Sequence, residues 1–370
     1  MSIVRVLLTG GGTGGHIYPA LSMMKAIIEK YPDSTFLYIG TPNGLESKIV
    51  PHAGIDFKSI RISGIRRSLS LENFKTLYYF ITSISMAKKY IKEFKPDIVI
   101  GTGGYVCAPV VYAATKLKIK TLIHEQNSLP GITNKFLARY VDKILICFEE
   151  ARKYFATDKV VLTGNPRATE VATTLKVGKT ALGLNQHKKT VLISGGSRGA
   201  RPINDAFISM IEKYEKSDFE VVFVTGEVHY KSICEQIDQI NKFKNVKIVP
   251  FIADMPKFLV SIDLFVGRSG ATFLSEITAL GVASVLIPSP YVAENHQELN
   301  ARSITDHGGG TLILESNLTK DVLYDEITRL LNDEKALASM RRITKKLGIS
   351  DANTRILNVI DDILKVEQSV

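Results

Sequence analysis

Three glycine-rich turns follow short apolar runs in this chain of 370 residues. Residues 10–16 read Gly-Gly-Gly-Thr-Gly-Gly-His, residues 101–105 read Gly-Thr-Gly-Gly-Tyr, and residues 195–200 read Gly-Gly-Ser-Arg-Gly-Ala. A backbone without Cβ atoms lets an anion approach closely, and a helix after such a turn points free N–H groups and its positive dipole end at it. The turns therefore predict phosphate contacts, on two phosphorylated ligands or on one diphosphate. For any single turn, a strand–helix connection without a ligand is the alternative.

The first turn does not carry the full signature of a dinucleotide site. Gly10, Gly12 and Gly15 have the spacing G-x-G-x-x-G, which alone is a weak signal. The dinucleotide fingerprint also needs a carboxylate at the end of the next strand, where it holds a ribose. The next predicted strand, residues 35–39, ends in Gly40-Thr41 instead. We interpret the turn as a phosphate cradle and not as an NAD site.

Two side chains near these turns have the chemistry of a general base. His16 ends the first turn, and Glu125 follows the predicted strand at residues 120–124. Histidine is the usual proton acceptor at neutral pH because its unperturbed pKa lies close to that pH. The structural alternatives are a helix-capping role for His16 and an ion pair with an arginine for Glu125.

Two polar side chains in the second half of the chain could bind sugar hydroxyls. Glu276 lies about two turns into a helix that starts at residues 268–271, and a carboxylate can accept hydrogen bonds from both hydroxyls of a ribose. Gln297 lies in a polar run after a buried strand, and its amide can both donate to and accept from hydroxyl pairs. Spacing alone slightly favours a solvent-facing Glu276 and a loop-capping Gln297.

The elements that position these residues alternate between short apolar strands and helices. The predicted strands after the second are residues 97–100, 120–124, 143–147 and 160–163, and, beyond a polar linker at 168–189, residues 190–194, 221–226, 246–250, 264–267 and 283–288. This alternation predicts parallel sheets covered on both faces, with ligand loops at the carboxyl ends of the strands. We expect two α/β domains with the substrate in a cleft between them. A helical tail at 354–366, with Ile356, Ile360 and Ile363 at helical spacing, is expected to dock on a domain face.

Composition limits the partners. Lysine and arginine total 47 against 37 acidic residues, and the net charge of +10 favours nucleic acid, an acidic membrane or a phosphorylated substrate as the partner.

The cysteines and acidic residues show no spacing that is typical of a redox or metal site. The pattern of Cys107, Cys147 and Cys234 predicts reduced thiols in a cytosolic protein without a secretory leader. No acidic cluster has metal-ligand spacing, so amides, helix dipoles and arginines are expected to bind the diphosphate. The uncharged residues 98–115 contain three glycines and a proline, which favours strand, turn and helix over a membrane span.

A basic and aromatic stretch between residues 66 and 89 has the character of a membrane-surface helix. Arg66 and Arg67 precede it, Lys88 and Lys89 follow it, and the stretch between them contains Leu71, Phe74, Lys75, Leu77, Tyr78, Tyr79, Phe80 and Ile81. Apolar and aromatic side chains flanked by cations suit an anionic bilayer surface. The alternative is a buried helix of the first domain with a solvated end.

Taken together, these motifs resemble the MurG family, membrane-associated transferases that move N-acetylglucosamine from UDP-N-acetylglucosamine to lipid I in peptidoglycan synthesis. The matching motifs run in order over most of the chain: residues 11–16 with Pro19, 103–105, 124–127, 133–135, 164–167, 195–200, 268–271 through 275–276, and 296–297 with 300–301. The resemblance implies an α/β protein of the GT-B type, with two Rossmann-like parallel-sheet domains facing a central cleft. It also implies a hexosyltransferase that inverts the anomeric carbon and needs no cofactor and no metal.

The resemblance also implies roles, position by position. Residues 1–166, completed by the helix at 352–370, would bind lipid I and the membrane, and residues 167–351 would bind the donor. The base would be His16, with Glu125 as second choice, and the acceptor diphosphate would lie at Gly12, Gly103, Gly104 and Tyr105. The donor would be lined by Thr13, Gly14, Gly15, Asn127, Arg167, Ser197 (diphosphate), Ile252 (uracil), Ala271, Thr272, Phe273, Leu274, Ser275, Glu276 (ribose) and Gln297 (sugar hydroxyls).

The partners implied by the resemblance are UDP-N-acetylglucosamine, lipid I (undecaprenyl-diphosphate-linked MurNAc-pentapeptide) and the anionic cytoplasmic membrane surface, without nucleic acid. The protein would be peripheral on the cytoplasmic face of the cell membrane and would serve cell-wall biogenesis, cell shape and division. Two alternatives remain open. One is a UDP-N-acetylglucosamine 2-epimerase on a similar fold, which needs no lipid acceptor. The other is a non-catalytic protein that binds anionic lipid or nucleic acid.

Overall fold

The computed structural model describes residues 4–62, 72–155, 158–175, 178–196, 198–237 and 243–365, with the backbone alone at 72–77 and 365. The chain divides into two compact units. The first unit comprises Met1–Arg167 and Asp351–Val370, and the second comprises Ala168–Ser350. These boundaries lie one residue away from those expected from the sequence, since Arg167 and Asp351 belong to the first unit.

In the described part of the first unit, seven parallel strands form one sheet in the order β3-β2-β1-β4-β5-β6-β7. Their bounds are β1 (Arg5–Thr9), β2 (Thr35–Gly40), β3 (Asp56–Ser59), β4 (Ile98–Gly101), β5 (Lys120–Glu125), β6 (Lys143–Ile146) and β7 (Val160–Leu162). The strand order reverses beside the central β1, so the loops after β1 and β4 flank a topological switch point. Open α/β sheets bind ligands at such a point.

Helices cover both faces of this sheet because successive strand residues point to opposite sides. The helices are α1 (Gly14–Lys30), α2 (Glu46–His52), α3 (Glu72–Phe94), α4 (Cys107–Lys116), α5 (Ile132–Leu137), α6 (Pro166–Ala172), which crosses the unit boundary, and α15 (Ala352–Lys365). Leu7 packs with residues of α3 and α4 on one face, and Leu8 packs with residues of α1 and α15 on the other. Ile356 and Ile360 of α15 are buried there, which confirms that the helical tail docks on a domain face.

The second unit repeats the same strand order. Its sheet, in the residues described, runs β10-β9-β8-β11-β12-β13 and is parallel throughout. The strands are β8 (Thr190–Ser194), β9 (Glu220–Val224), β10 (Val246–Val249), β11 (Leu264–Gly267), β12 (Ala283–Leu286) and β13 (Gly310–Leu312). The helices are α7 (Arg201–Ile208), α8 (Ile211–Glu215), α9 (Glu227–Gln236), α10 (Met255–Leu259), α11 (Ala271–Leu280), α12 (His296–Thr305), α13 (Lys320–Asn332) and α14 (Glu334–Leu347). One apolar cluster joins strands of this sheet to α7, α8, α9, α13 and α14, with Phe207, Tyr214 and Phe223 among its largest buried side chains.

Three local features differ from the sequence expectation. The sequence Pro-Ala-Leu at residues 19–21 is typical of a helix start, but α1 begins at Gly14. Pro19 therefore lies inside the helix and leaves one backbone hydrogen bond unmade. The polar stretch at 168–189 contains the end of α6 and a 3₁₀ turn at Lys179–Leu182. Strands β3 and β13 were not expected, because the sequences Asp-Phe-Lys-Ser and Gly-Thr-Leu lack an apolar run.

Candidate active site

The first glycine turn runs directly into α1, and their junction holds the imidazole of His16. His16 is the third residue of α1, and its Nδ1 lies 2.8 Å from the carbonyl oxygen of Gly11. A carbonyl oxygen only accepts hydrogen bonds, so Nδ1 is the donor in this contact, and in the neutral form of the ring the lone pair is then on Nε2. The ring bonds a carbonyl and does not cap a helical N–H, so the capping alternative is wrong. The neutral ring can take up a proton at Nε2.

A buried carboxylate lies inside the same turn and had no motif of its own in the sequence. Oε2 of Glu46, at the start of α2, accepts from the N–H of Gly12 at 3.1 Å. Its Oε1 accepts from the N–H and the hydroxyl of Thr41 at 2.9 and 2.6 Å. Burial alone would raise the pKa of Glu46, but the hydrogen bonds from Thr41 and Gly12 outweigh it and lower the pKa below its usual value. The sequence signal available was the pair Gly40 and Gly44, where a Cβ would lie 2.6 and 2.3 Å from this side chain.

The second glycine turn packs against the first. Gly104 has a φ of +86°, and a Cβ on it would lie 2.4 Å from the carbonyl oxygen of Gly11. The N–H of Gly11 donates to the carbonyl of Gly103 at 3.2 Å, and the hydroxyl of Thr102 donates to the carbonyl of His16 at 2.7 Å. The turns after β1 and β4 therefore form one continuous surface at the switch point of the first sheet.

Backbone N–H groups at these turns differ in what they can bind. The N–H of Gly12 donates to the buried carboxylate, and that of Gly103 donates to Sγ of Cys107 at 3.2 Å. Within the residues described, the N–H groups of Gly104 and Tyr105 have no hydrogen-bond acceptor, and the same holds for the first two residues of α1. An anion at the expected diphosphate residues could therefore accept hydrogen bonds from the N–H groups of Gly104 and Tyr105. The N–H groups of Gly12 and Gly103 already donate to other acceptors.

A cavity of about 1240 Å³ opens beside both turns, within the first unit. Its lining includes His16, Tyr105 and Arg61, and one face of α3 contributes Tyr79 and Thr82. Arg61 brings an exposed guanidinium to this wall. Hydroxyl groups, aromatic rings, a cation and open amides together suit a polar, anionic ligand. Arg61 and the α3 residues were not among the expected site residues.

Glu125 is buried at the end of β5, and both of its oxygens are occupied. Oε1 accepts from the N–H and the side-chain amide of Asn127 at 3.0 and 3.2 Å. Oε2 accepts from the N–H of Gly131 at 3.1 Å and from Nδ2 of Asn134 at 2.8 Å. These partners are amides, so the alternative of an ion pair with an arginine is wrong for the described residues. The contacts make Glu125 an anchor for the loop at 127–131, which favours His16 as the base.

His124, beside Glu125, is fully buried and links two ligand-side loops. Its Nε2 donates to the carbonyl of Gly164 at 3.0 Å, and its Nδ1 accepts from the side-chain amide of Gln126 at 2.9 Å. Burial lowers the pKa of His124 to about 4. The same amide nitrogen of Gln126 reaches the carbonyl of Thr102 at 2.8 Å. The neutral His124 therefore ties the loops after β5 and β7 together, and Gln126 extends this network to the loop after β4.

The other donor residues expected in the first unit lie on these loops. Asn127 follows β5 and hydrogen-bonds the carboxylate of Glu125. Arg167, half-buried in α6, donates its N–H to Oδ1 of the buried Asn165 at 3.1 Å. Thr13 is the N-cap of α1; its hydroxyl makes no cap hydrogen bond to a helical N–H but lies 3.5 Å from Nδ1 of His16. The two glycines after it are the first two residues of α1.

The third glycine turn is tightly packed beside β9. Gly199 has a φ of +74°, and a Cβ on it would lie 2.1 Å from the carbonyl oxygen of Thr225. Gly196 has a φ of +89° and open space around it, and its N–H donates to the hydroxyl of Ser194 at 3.2 Å. Ser197, the expected diphosphate ligand, lies outside the described residues. The neighbouring turn geometry requires glycine at 199 for close approach.

Helix α11 starts at the switch point of the second sheet, directly after β11. Its first residue, Ala271, follows Gly270 with no side-chain cap. Glu276, six residues into the helix, is only 5% exposed, so the solvent-facing alternative is wrong. Phe273 packs against Phe265 of β11 with ring centroids 4.5 Å apart. The helix thus begins without a side-chain cap and carries a buried carboxylate in its second turn.

The remaining expected donor residues of α11 differ in exposure. Leu274 and Ser275 are buried, and the Ser275 hydroxyl donates to the carbonyl of Ala271 at 2.9 Å. Thr272 is half-buried. Ile252 is half-buried in the loop between β10 and α10.

Gln297, in the first turn of α12, caps a neighbouring loop. Its Oε1 accepts from the N–H of Ser289 at 2.9 Å, and its carbonyl accepts from the hydroxyl of Ser269 at 2.7 Å. The loop-capping alternative is therefore confirmed for Oε1, and Nε2 remains the group that could reach a sugar hydroxyl. Arg268 donates to the carbonyl of Ile287 at 3.0 Å and forms an ion pair with Glu315. That largely buried ion pair gives Arg268 a structural role.

Helix α3 presents two contrasting faces. Ala87 and Ile91 are buried in the core of the first unit, whereas Tyr78 and Ile81 are 65% and 59% exposed. Phe80 packs edge-on against Phe136 of α5 with centroids 6.2 Å apart. One side of α3 is therefore core, as the buried-helix alternative expects, and the other side exposes apolar and aromatic groups. Contact of this exposed side with a membrane stays a prediction.

The basic ends of this stretch are only partly described. Lys89 and Lys92 are exposed on α3, and Lys88 is half-buried. Arg66, Arg67 and Leu71 lie outside the described residues, as do the side chains of Phe74, Lys75 and Leu77. No helix in the described part of the chain is long and apolar enough to cross a membrane.

The cysteines and potential metal ligands are scattered. Cys107 and Cys147 are free and buried, and Cys234 is free and half-buried. Burial raises the pKa of Cys107 to about 12, so its thiol stays protonated at neutral pH. Among the residues that the structure describes, no three histidine, cysteine or acidic side chains come together in a group that could hold a metal ion.

Comparison with known proteins gives a consistent family. Residues 6–146 match the glycosyltransferase family 28 N-terminal domain, and residues 190–356 match the C-terminal domain of the same family. A Bacillus cereus protein named UDP-N-acetylglucosamine–N-acetylmuramyl-(pentapeptide) pyrophosphoryl-undecaprenol N-acetylglucosamine transferase 1 is 55% identical over 98% of this chain and 100% of its own. A Bacillus pumilus transferase of the same name, without the number, is 54% identical over 97% of this chain and 99% of its own.

Solved structures extend the likeness to the fold. The crystal structure of Acinetobacter baumannii MurG has a TM-score of 0.79 and 26% identity, over 97% of this chain and 99% of that chain. A putative UDP-N-acetylglucosamine 2-epimerase from Listeria monocytogenes has a TM-score of 0.69 and 16% identity, over 98% and 96%, which shows a shared fold alone. The fold is GT-B. With its two matched domains and its full-length relatives, this chain belongs to glycosyltransferase family 28 and, within it, to the MurG family.

Proposed function

We propose that this chain transfers N-acetylglucosamine from UDP-N-acetylglucosamine to the 4-hydroxyl of the MurNAc of lipid I, which forms lipid II. Full-length relatives at 55% identity are named for this transfer. The structural observation that best supports it is the tautomer of His16, whose Nδ1 is held by the Gly11 carbonyl while Nε2 is left basic at a polar cavity. A hydroxyl nucleophile needs such an acceptor for its proton.

The acceptor site is proposed in the cavity of the first unit. The N–H groups of Gly104 and Tyr105 are placed to receive the diphosphate, and Arg61 adds a positive charge to the same cavity. The N–H of Gly12 is already bonded to a carboxylate, so Gly12 and Gly103 contribute backbone shape and not hydrogen bonds. The exposed aromatic face of α3 borders this cavity and is proposed to accompany the lipid end of the acceptor.

The donor is proposed to bind to the second unit at the switch point of its sheet. Ala271–Glu276 would hold phosphate and ribose, with the buried Glu276 carboxylate on the ribose diol. Ser197 would bind the diphosphate, Ile252 would flank the uracil, and Nε2 of Gln297 would donate to a sugar hydroxyl. The first unit would contribute Thr13, Gly14, Gly15, Asn127 and Arg167. The helix N-termini that follow the glycine turns support this donor site, because helix N-termini attract anions.

The reaction is then a single displacement. The lone pair at Nε2 of His16 takes the proton of the acceptor hydroxyl while that oxygen attacks the anomeric carbon from the side opposite UDP. The C1–O bond to the diphosphate breaks, the configuration inverts, and UDP leaves as an anion. Backbone N–H groups and helix dipoles, fixed before the reaction begins, stabilise the leaving charge. General-base assistance of this kind contributes roughly 10²–10⁴ in rate.

We further propose that the protein works as a peripheral protein on the cytoplasmic face of the membrane, where a lipid-linked acceptor is embedded. The exposed Tyr78 and Ile81 of α3, together with the exposed Lys89 and Lys92, support contact with an anionic lipid surface. Nucleic acid is not proposed as a partner, because the glycine turns and the buried Glu276 are accounted for by a nucleotide sugar.

One assay separates this function from its alternatives. The purified protein is incubated with UDP-N-acetylglucosamine, with and without lipid I, and the products are resolved by chromatography and mass spectrometry. Transfer predicts UDP and a disaccharide-lipid only when lipid I is present. Formation of UDP-N-acetylmannosamine without lipid I would identify an epimerase, and an intact donor in both reactions would leave only a binding protein. Either result would overturn the proposal.

A further inference from the structure

The Glu46 carboxylate and the His16 imidazole bond opposite sides of one peptide group. The group is the amide between Gly11 and Gly12. Its N–H donates to Oε2 of Glu46 at 3.1 Å, and its C=O accepts from Nδ1 of His16 at 2.8 Å. In a trans peptide the N–H and C=O point in opposite directions, so one rigid plane connects the two side chains. Glu46 and His16 are therefore connected through one peptide group and do not hydrogen-bond each other directly.

Glycines around the Glu46 carboxylate leave the space that it occupies. A Cβ on Gly11 would lie 2.5 Å from Oε1 of Glu46, and one on Gly44 would lie 2.3 Å from Oε2. Gly12 has a φ of +85°, in the left-handed region that favours glycine. Glu46 itself has no exposed surface. Three glycines therefore allow a buried anion to fix the orientation of one amide.

The electrostatics of this arrangement favour an ionised carboxylate. A buried charge is costly unless it is fully hydrogen-bonded, and Oε1 has the N–H and hydroxyl of Thr41 while Oε2 has the Gly12 N–H. These bonds outweigh burial and lower the pKa of Glu46. A negative charge on the N–H side of an amide polarises it and strengthens its carbonyl as an acceptor.

We propose that Glu46 is a positioning residue that acts through the Gly11–Gly12 peptide to hold His16 in the Nδ1–H tautomer, with Nε2 ready to accept the substrate proton. This relay, from the Glu46 carboxylate through the Gly11–Gly12 peptide to the His16 ring, is analogous to a hydrolase triad, in which a carboxylate orients a histidine. Here a peptide group lies between the two side chains. This inference rests on the proposed function, in which His16 is the base. The N–H of Gly12 serves the relay and not a ligand.

The first test is spectroscopic and needs no substrate. Protein labelled with ¹⁵N in its histidine rings is examined by long-range ¹H–¹⁵N correlation above neutral pH, and the His16 signal is assigned by its loss in His16→Gln. The relay predicts the Nδ1–H tautomer in the wild type and a mixture of both tautomers in Glu46→Gln. The amide introduced by Glu46→Gln is neutral and would face the Gly12 N–H either with a weaker acceptor or with a second donor.

The second test is kinetic. Glu46→Gln is expected to lower kcat for transfer by roughly tenfold to hundredfold, a part of the full general-base contribution, with the KM for UDP-N-acetylglucosamine unchanged. The matched control is Glu220→Gln in the second unit. Glu220 is also buried and accepts from the N–H of Asn185 at 2.8 Å and the hydroxyl of Thr190 at 3.0 Å. The Glu220→Gln variant should leave both kcat and the His16 signal unchanged.

The outcomes separate the relay from the proposed function. An Nε2–H tautomer of His16 in the wild type would overturn the relay, even if Glu46→Gln fails to fold. An unchanged kcat in folded Glu46→Gln, or an equal loss in Glu220→Gln, would also overturn it. Absence of transfer by the wild type would instead contradict the proposed function, while the tautomer measurement still decides the relay.

Discussion

Gly103 leaves the space in which the imidazole of His16 lies. A Cβ on Gly103 would approach Cδ2 of that ring to 2.7 Å and Nε2 to 2.9 Å. Gly103 also has a φ of +111°, where a side chain is strained whatever space is available. The second glycine turn therefore sets the position of a ring carried by the first.

Substituting Gly103→Ala should move the imidazole and slow transfer. A displacement of about 1 Å in a catalytic group can cost roughly 100-fold in rate, so we expect a fall in kcat of that order, with UDP binding unchanged. The control is Gly54→Ala, at a φ of +76° with no atom within 4 Å of the added Cβ. It carries backbone strain without the contact. Equal losses of kcat in the two variants would contradict the assignment.

Protonation of His124 should destabilise the fold in acid. Burial lowers its folded-state pKa to about 4 from 6.5, so between these pH values the unfolded chain binds a proton that the folded chain does not. The free energy of unfolding should therefore fall as the pH drops from about 6.5 to about 4, by about 3 kcal/mol in total. Urea unfolding of the wild type and His124→Gln across this range measures the difference. Parallel curves for the two proteins would show that His124 is not the group responsible.

Glu276→Ala should weaken donor binding through the ribose. Loss of a hydrogen bond to a carboxylate costs about 1.5–3 kcal/mol, which raises the Kd of UDP roughly tenfold to a hundredfold in titration calorimetry. The control on the same helix is Thr278→Val, because the Thr278 hydroxyl bonds the carbonyl of Leu274 at 2.8 Å.

A second ligand sharpens the ribose test. 2′-Deoxy-UDP lacks one of the hydroxyls that Glu276 is proposed to bind, so the wild type should bind it less tightly than UDP. Glu276→Ala should no longer distinguish the two nucleotides. Full discrimination in the variant would remove Glu276 from the ribose site.

The regular part of the fold could be predicted because parallel strands buried on both faces are continuous apolar runs. Residues 190–194 and 264–267 coincide with β8 and β11 for this reason. Strand β3 lies at a sheet edge, with two of its four residues charged, and gave no such signal. Pro19 has the pattern of a helix start, but the helix tolerates it one and a half turns in. Edge strands and helix starts depend on tertiary contacts, which the hydrophobic periodicity of the sequence does not report.

The sequence predicts those residues of the site that lie close together in a local motif. The glycine turns and His16 are contiguous in sequence, and their packing against each other follows from strand order. Glu46 is 34 residues from Gly12, and its partner is a backbone N–H, which no side-chain pattern reports. Glu125 has the residue type of a base, and only its four amide contacts show it to be an anchor.

The lysines of α3 should control binding to anionic membranes. Each exposed lysine near such a surface contributes about 1 kcal/mol, so Lys89→Glu/Lys92→Glu should weaken sedimentation with phosphatidylglycerol vesicles by more than about tenfold, and added salt should weaken wild-type binding. The control, Lys231→Glu/Lys335→Glu, makes the same change of net charge on exposed residues of the second unit. Equal weakening by both pairs would assign the attraction to net charge and not to α3.

The most direct measurement is kcat for transfer to lipid I by His16→Ala, with both substrates saturating and UDP release followed by a coupled assay. We predict a fall of roughly 100-fold or more against the wild type, because the acceptor hydroxyl loses its proton acceptor, with the Kd of UDP unchanged. A kcat within a few-fold of the wild type would contradict the central claim that His16 activates the acceptor.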